Sequence, residues 1–273
     1  MSDINTEISG GVLRLEFNRP TRKNAMTAAM YTTMAEILTK ADQNDDVRVV
    51  LWHSAGDAFC AGNDVEDFLK NPPQPGGSPH SRLTETFIGF AKPLVAAVQG
   101  AAIGGGTTML THCDFVYAGE SAKFQTPFID LALVPEFASS FSIPARIGHL
   151  RAAELILLGD RFGAQRAAEL GLVTRVVPDA DVFSTAETTA QRLAAKAPGA
   201  LLACKQLIKR SSIGPQREAV AAEMAEFTAR VTSADSKEAF SAFLEKRPPN
   251  FSKPSTPTAP PKRGRAITQE CIQ

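Results

Sequence analysis

The chain has no surplus of charge of either sign. Lys plus Arg and Asp plus Glu number 29 each in 273 residues, so no global field calls for a nucleic acid or an acidic membrane as partner. Cysteine is scarce: Cys60, Cys113, Cys204 and Cys271 show no CxxC or CxxH spacing, a pattern that fits reduced thiols in a cytosolic compartment. The histidines at 53, 80, 112 and 149 are isolated, so no metal ligand set is expected, and His112 and His149 read as packing or surface residues. No apolar run approaches the roughly twenty residues a bilayer span needs. The N-terminus lacks a basic-plus-apolar leader, and the end Glu270-Cys271-Ile272-Gln273 carries neither an SKL-type address nor a prenylation box. These absences together predict a soluble, cytoplasmic protein with no membrane partner.

Three catalytic glycine motifs are also missing. Gly100 to Thr107 has the spacing of a phosphate-binding P-loop, but Gly106 stands where its lysine belongs. No GxGxxG follows a strand, and no GxSxG elbow occurs, which leaves out dinucleotides and serine hydrolases. The glycines therefore do not point to a nucleoside triphosphate or NAD.

What is present is an alternation of short apolar strands and helices. Leu13, Leu15 and Phe17 alternate with Arg14 and Glu16, the period of a half-buried strand. Thr27 is placed to cap a helix whose Met30, Met34, Ile37 and Leu38 form one stripe. Strands are expected at 47–52, 93–99 and 114–117, with helices between them, an α/β arrangement whose ligand sites lie at strand ends. Residues 71–79, rich in Pro and Gly, read as a mobile loop beside the site. From about residue 199 the pattern turns helical. Residues 254–265, rich in Pro, Lys and Arg, read as a disordered, solvated tail.

The chemistry concentrates between Lys92 and Ser140. A buried strand runs into Gly104, Gly105 and Gly106, and a helix opens at about Thr107. Glycines admit close backbone approach, and a helix start leaves amide hydrogens unpaired beside partial positive charge. That arrangement suits a developing oxyanion; close packing of helix on strand would use the same glycines. Some thirty residues on, Glu136 sits among Leu133, Val134, Pro135, Phe137 and Ala138. A carboxylate in apolar company is what a general base acting on a carbon acid needs; an ordinary surface carboxylate is the alternative.

From about residue 8 to residue 252 the chain resembles the crotonase, or enoyl-CoA hydratase/isomerase, superfamily. The motifs run in family order: Arg19-Pro20 with Lys23-Asn24-Ala25-Met26, Ala58-Phe59-Cys60-Ala61-Gly62-Asn63-Asp64, Lys92 to Val98, the glycine cluster, Cys113-Asp114, Leu158-Gly159-Asp160 and Gly171-Leu172-Val173. The resemblance implies a ClpP-like spiral of ββα turns over residues 1–198, a helical trimerisation region over 199–250 and a tail over 251–273. It implies an oxyanion hole from the backbone amides of Asn63 and Gly105, and an acyl-CoA thioester bound along Lys23, Ala25, Ala61, Gly62, Asn63, Asp64, Val65, Gly104, Gly105 and Phe128. Coenzyme A is then part of the substrate rather than a cofactor, and the assembly is a homotrimer or a hexamer.

The two positions where hydratases of this family carry glutamates hold Thr108 and Phe128 here, and neither exchanges protons near neutral pH. The segments Phe124 to Phe128, Pro135-Glu136 and Ser139-Ser140 are instead similar to peroxisomal-type Δ3,Δ2-enoyl-CoA isomerases. In those the glutamate after the proline is the single base, which makes Glu136, with Asn63 and Gly105, the expected catalytic set. The rival expectations are a hydratase or an acyl-CoA hydrolase using a group such as Asp130, and a silent CoA-binding interaction module.

Overall fold

The computed structural model describes residues 2–70 and 77–251. Of the expected loop at 71–79 and tail at 251–273, residues 71–76 and 252–273 lie outside them. A hairpin of β1 (Ile4–Ser9) and β2 (Val12–Phe17) is followed by α1 (Ala28–Gln43), β3 (Val49–Ser54) and β4 (Ala58–Cys60). Helices α2 (Val65–Lys70) and α3 (Pro79–Gly89) lead to β5 (Leu94–Val98) and β6 (Ala101–Ile103). The one-turn helix α4 (Gly105–Thr108) precedes β7 (Phe115–Gly119) and β8 (Lys123–Gln125). Then come α5 (Ser139–Ile147), α6 (His149–Ala153), β9 (Phe162–Gly163), α7 (Ala164–Glu169), β10 (Arg175–Val177) and α8 (Val182–Ala194). The last described helices are α9 (Pro198–Lys209), α10 (Ile213–Val231) and α11 (Ala234–Glu245).

Six strands form one sheet in the order β1-β2-β3-β5-β7-β10, and four form a second in the order β4-β6-β8-β9. Apart from the β1/β2 and β8/β9 pairs, every pairing is parallel. Each turn of chain lays one strand in each sheet before a helix intervenes: β3 then β4, β5 then β6, β7 then β8. That is the spiral of ββα turns that the family resemblance implies.

Burial on both faces explains why the large sheet reads as continuous apolar runs. Val49, Leu51, Val95 and Ala97 meet Val182, Ala186, Ala190 and Ala194 of α8. The alternate residues, Val50, Trp52, Leu94 and Ala96, face the main core with Met30, Met34 and Leu38 of α1. Thr27 caps α1, its Oγ1 accepting the Met30 amide at 3.2 Å. Pro79 departs from the expected loop: it lies in the first turn of α3, and the Ser78 hydroxyl caps that helix by accepting the Ser81 amide at 3.1 Å. A proline there loses no helical hydrogen bond, so Ser-Pro marks a helix start.

Candidate active site

β4 and β6 are parallel neighbours, so the loops leaving their C-terminal ends lie side by side. Asn63 follows β4, and Gly105 opens α4 after β6. Neither backbone amide donates to an acceptor among the described residues, although Asn63 and Gly105 both line one cavity. The glycines make this approach possible. Gly104 has φ +54 and ψ −119, a conformation L side chains rarely adopt. A Cβ on Gly106 would sit 2.5 Å from the Cys60 carbonyl oxygen. Helix α4 therefore packs directly on the backbone of β4, the strand that precedes Asn63.

The neighbouring polar residues hold this turn in place. Asn24, fully buried, donates to the carbonyls of Ala55 and Ala58 at 2.8 and 2.7 Å and accepts the Arg19 amide at 2.8 Å. Arg19 donates to Asp64 at 2.8 Å and to the Ala25 carbonyl at 3.0 Å. Asp64 Oδ1 accepts the amides of Glu66 and Asp67 at the start of α2. Burial alone would raise the Asp64 carboxyl, but its hydrogen bonds and the charges of Arg19 and Arg22 outweigh that and hold it below the usual range.

Glu136 is 4 % exposed and belongs to this cavity. Its Oε1 lies 3.1 Å from where a Cβ on Gly105 would stand, and its Oε2 is 3.0 Å from His80 Nε2. The next two residues, Phe137 and Ala138, take φ of +58 and +57, a strain worth on the order of 1–3 kcal/mol each that surrounding contacts must hold. His112 Nε2 donates to the Phe137 carbonyl at 2.9 Å. Glu223 of α10 accepts the amides of Ala138 and Ser140, each at 2.8 Å. Burial pushes the Glu223 carboxyl up, against those hydrogen bonds and in concert with the charge of Glu136. The Tyr31 hydroxyl donates to Asn63 Oδ1 at 2.6 Å; burial first, then Glu136, raises its pKa well above the ordinary phenol value. The buried Cys60 thiol is pushed up to about 12, chiefly by desolvation.

The cavity, of about 120 Å³, brings together Ala61, Gly62, Asn63, Val65, Gly104, Gly105, Phe128 and Glu136. Glu136 supplies the only carboxylate among its described lining residues. Lys23, Ala25 and Asp64 lie outside that lining. Lys23 Nζ is paired with Asp57 at 2.6 Å, and both side chains are mostly exposed. Asp130 is exposed and also outside the lining. Thr108 is fully buried, its hydroxyl donating to the Gly104 carbonyl at 3.3 Å. Phe68, Leu131, Leu133, Phe227, Phe240 and Phe243 also line the cavity.

The sequence reading did not single out Tyr31, His80, Glu223 or the phenylalanines Phe227, Phe240 and Phe243 of α10 and α11. His80 left a trace, being a polar member of the buried stripe His80, Leu83, Thr84, Phe87 and Ile88 along α3. Glu223, buried beside Met224 and Phe227, left a similar one.

Two backbone amides without an acceptor among the described residues, at adjacent parallel strand ends, share one cavity with a buried carboxylate. The family profile described as Enoyl-CoA hydratase/isomerase matches residues 7–254, and the chain belongs to that family of enzymes. It is 33 % identical over 245 residues to enoyl-CoA delta isomerase 2 of Rattus norvegicus, covering 88 % of this chain but only 62 % of that protein. It is 34 % identical over 255 residues to the enoyl-CoA hydratase EchA19 of Mycobacterium tuberculosis strain H37Rv, covering 91 % and 96 % of the two chains. The crystal structure of an enoyl-CoA hydratase/isomerase from Pseudoalteromonas atlantica T6c superposes with a TM-score of 0.87 at 37 % identity, covering 92 % of this chain and 100 % of that one.

Proposed function

We propose that the protein is a Δ3,Δ2-enoyl-CoA isomerase. The observation that carries this reading is Glu136, the one carboxylate among the described residues lining the cavity, beside the Gly105 amide, which has no acceptor among them. The amides of Asn63 and Gly105 bind the thioester oxygen. Glu136 removes a proton from C2, the C2–H bonding pair becomes part of a dienolate, and negative charge collects on the bound oxygen. The protonated Glu136 then delivers the proton to C4; a C4–H bond forms, the C3–C4 double bond is replaced by C2–C3, and the carboxylate is regenerated. A backbone donor aimed at such an oxygen is worth about a hundred- to a thousandfold in rate. Phe68, Phe227, Phe240 and Phe243 offer the acyl chain an apolar surface.

Relatives of similar identity are named hydratases as well as isomerases. Hydration places a hydroxyl and a proton across the double bond and draws on an acid/base pair. Here Thr108 and Phe128 occupy the two positions the hydratase carboxylates would take, which favours isomerisation. Leu207 and Ile208 on α9 and Leu157 and Leu158 after α6, each more than 60 % exposed, support burial against further copies in a trimer or hexamer.

The test is a paired assay on the purified protein and its Glu136→Gln variant. The expected result is 3-to-2-enoyl-CoA isomerisation well above crotonyl-CoA hydration, with isomerisation abolished and acyl-CoA binding retained in the variant. Robust hydration, or wild-type isomerisation by Glu136→Gln, overturns the reading.

A further inference from the structure

We infer that His80 is a positioning residue for Glu136: its Nε2–H holds Oε2, which leaves Oε1 as the atom that carries the substrate proton. The inference rests on the isomerase reading of Glu136. His80 is 5 % exposed and stands on α3, outside every motif of the site, with Nε2 3.0 Å from Oε2. Its Nδ1 is buried and has no hydrogen-bond partner among the described residues. A protonated imidazole would leave a charged N–H donor there without an acceptor, whereas the neutral Nε2–H form leaves only a lone pair. The second arrangement carries the smaller penalty, because a buried unsatisfied charged donor is among the most costly groups a fold can hold. His80 is thus placed as a hydrogen-bond donor to Glu136.

The ring has little freedom. It meets Tyr31 edge-on at 5.5 Å and Phe137 at 4.3 Å between centroids. The His80 carbonyl accepts the Thr84 hydroxyl at 2.9 Å within α3. A glutamate by itself turns broadly about its terminal torsion. With Oε2 engaged by a fixed donor, the carboxylate plane is set and Oε1 is the free oxygen, on the side of Gly105. A one-base isomerase needs this: the proton taken from C2 must remain on one oxygen, within reach of C4, while the dienolate lives. Rotation of the carboxyl in that interval misplaces the proton or lets it exchange.

The experiment compares His80→Gln with His80→Asn in the full chain, with 3-hexenoyl-CoA as substrate and Glu136→Gln as control. A glutamine amide reaches the position of Nε2 and can donate to Oε2; an asparagine amide is one methylene short. We expect His80→Gln to keep kcat within a few-fold of wild type. We expect His80→Asn to lose about ten- to a hundredfold in kcat, the scale of a small misplacement of a catalytic group, with KM nearly unchanged. In D2O, the product made by His80→Asn should carry more deuterium at C4 per turnover than the wild-type product. Equal kcat in the two folded variants overturns the inference, as does unchanged deuterium uptake in His80→Asn. Failure of His80→Gln to fold also counts against it, since an equivalent donor would then not replace the ring. If wild type itself does not isomerise the substrate, it is the reading of the function that fails; if wild type isomerises, Glu136→Gln is dead and the two His80 variants match, only this inference fails.

Discussion

Glu223 on α10 accepts the Ala138 amide at 2.8 Å across 85 residues of sequence. Its second oxygen takes the Ser140 amide, so one carboxylate straddles the kink that follows Glu136. The C-terminal helices therefore do more than wall the cavity: they hold the strained loop that carries the proposed base. Glu223→Gln places an NH2 group against one of the two amide donors. The expected loss is about 1–3 kcal/mol of stability, the cost of leaving a buried polar group unpaired, together with reduced kcat. Urea unfolding of both proteins checks the first part; an unchanged midpoint would show that the clamp is dispensable.

Asn63→Ala separates backbone from side chain. The proposed oxyanion donor is the main-chain amide and survives truncation, so kcat should fall by less than about tenfold, well short of the loss expected for a missing donor. The buried Tyr31 hydroxyl, however, loses its acceptor, which should destabilise the fold by about 1–3 kcal/mol. Adding Tyr31→Phe should recover part of that cost, read as a coupling energy in a double-mutant cycle. A severe loss of turnover in well-folded Asn63→Ala would instead give the side chain a direct role.

Gly105→Ala tests the spacing between hole and base. Its φ is not in the left-handed region, so the backbone accepts alanine, but the new methyl meets Glu136 Oε1 at 3.1 Å. The carboxylate must yield by a few tenths of an ångström. The expected outcome is a folded protein with kcat lowered by about ten- to a hundredfold, judged by turnover alongside circular dichroism. A variant with wild-type kcat would place the reacting carboxylate elsewhere.

Stability should depend on pH through His112. Burial lowers its pKa from 6.5 to about 3, only partly opposed by the Phe137 carbonyl and aided by Lys209, Arg146 and Lys205. Between those values the unfolded chain binds the proton and the folded chain does not. This contribution is therefore fully present above about pH 6.5 and is lost as the pH falls toward 3. His112→Gln keeps a donor for the Phe137 carbonyl but cannot take up a proton. Its unfolding free energy, measured from pH 7 to pH 4, should fall less steeply than that of wild type; parallel curves would show that His112 does not supply this dependence.

Much of the fold was readable because its signals are local. Thr27 before the stripe of Met30, Met34 and Leu38 marks a capped helix, and the apolar run from Leu94 to Val98 marks a strand buried on both faces. Gly104 and Gly106 announce a backbone that must bend or approach closely, whichever partner it approaches. The Pro- and Gly-rich surroundings of Pro79 predict a loop, yet Ser78 turns it into a helix start. Here the local signal existed and composition masked it.

What the amino-acid sequence determined by itself is therefore the alternation of short strands and helices, the glycine cluster at 104–106 after a buried strand, and a lone glutamate among apolar neighbours at 136; the ββα spiral and the amides of Asn63 and Gly105 came from the family resemblance. Only the tertiary structure decided what surrounds that glutamate. His80, Tyr31, Glu223 and Phe227 come from α3, α1 and α10, and no spacing along the chain relates them to Glu136 or to one another. The physical reason is that periodicity and capping act over a few residues, whereas a buried carboxylate must find hydrogen-bond partners wherever packing brings donors to it. A histidine on a buried helix face and a glutamate beside Met224 read in sequence as minor irregularities; once the helices close over the loop, they become the contacts that hold it.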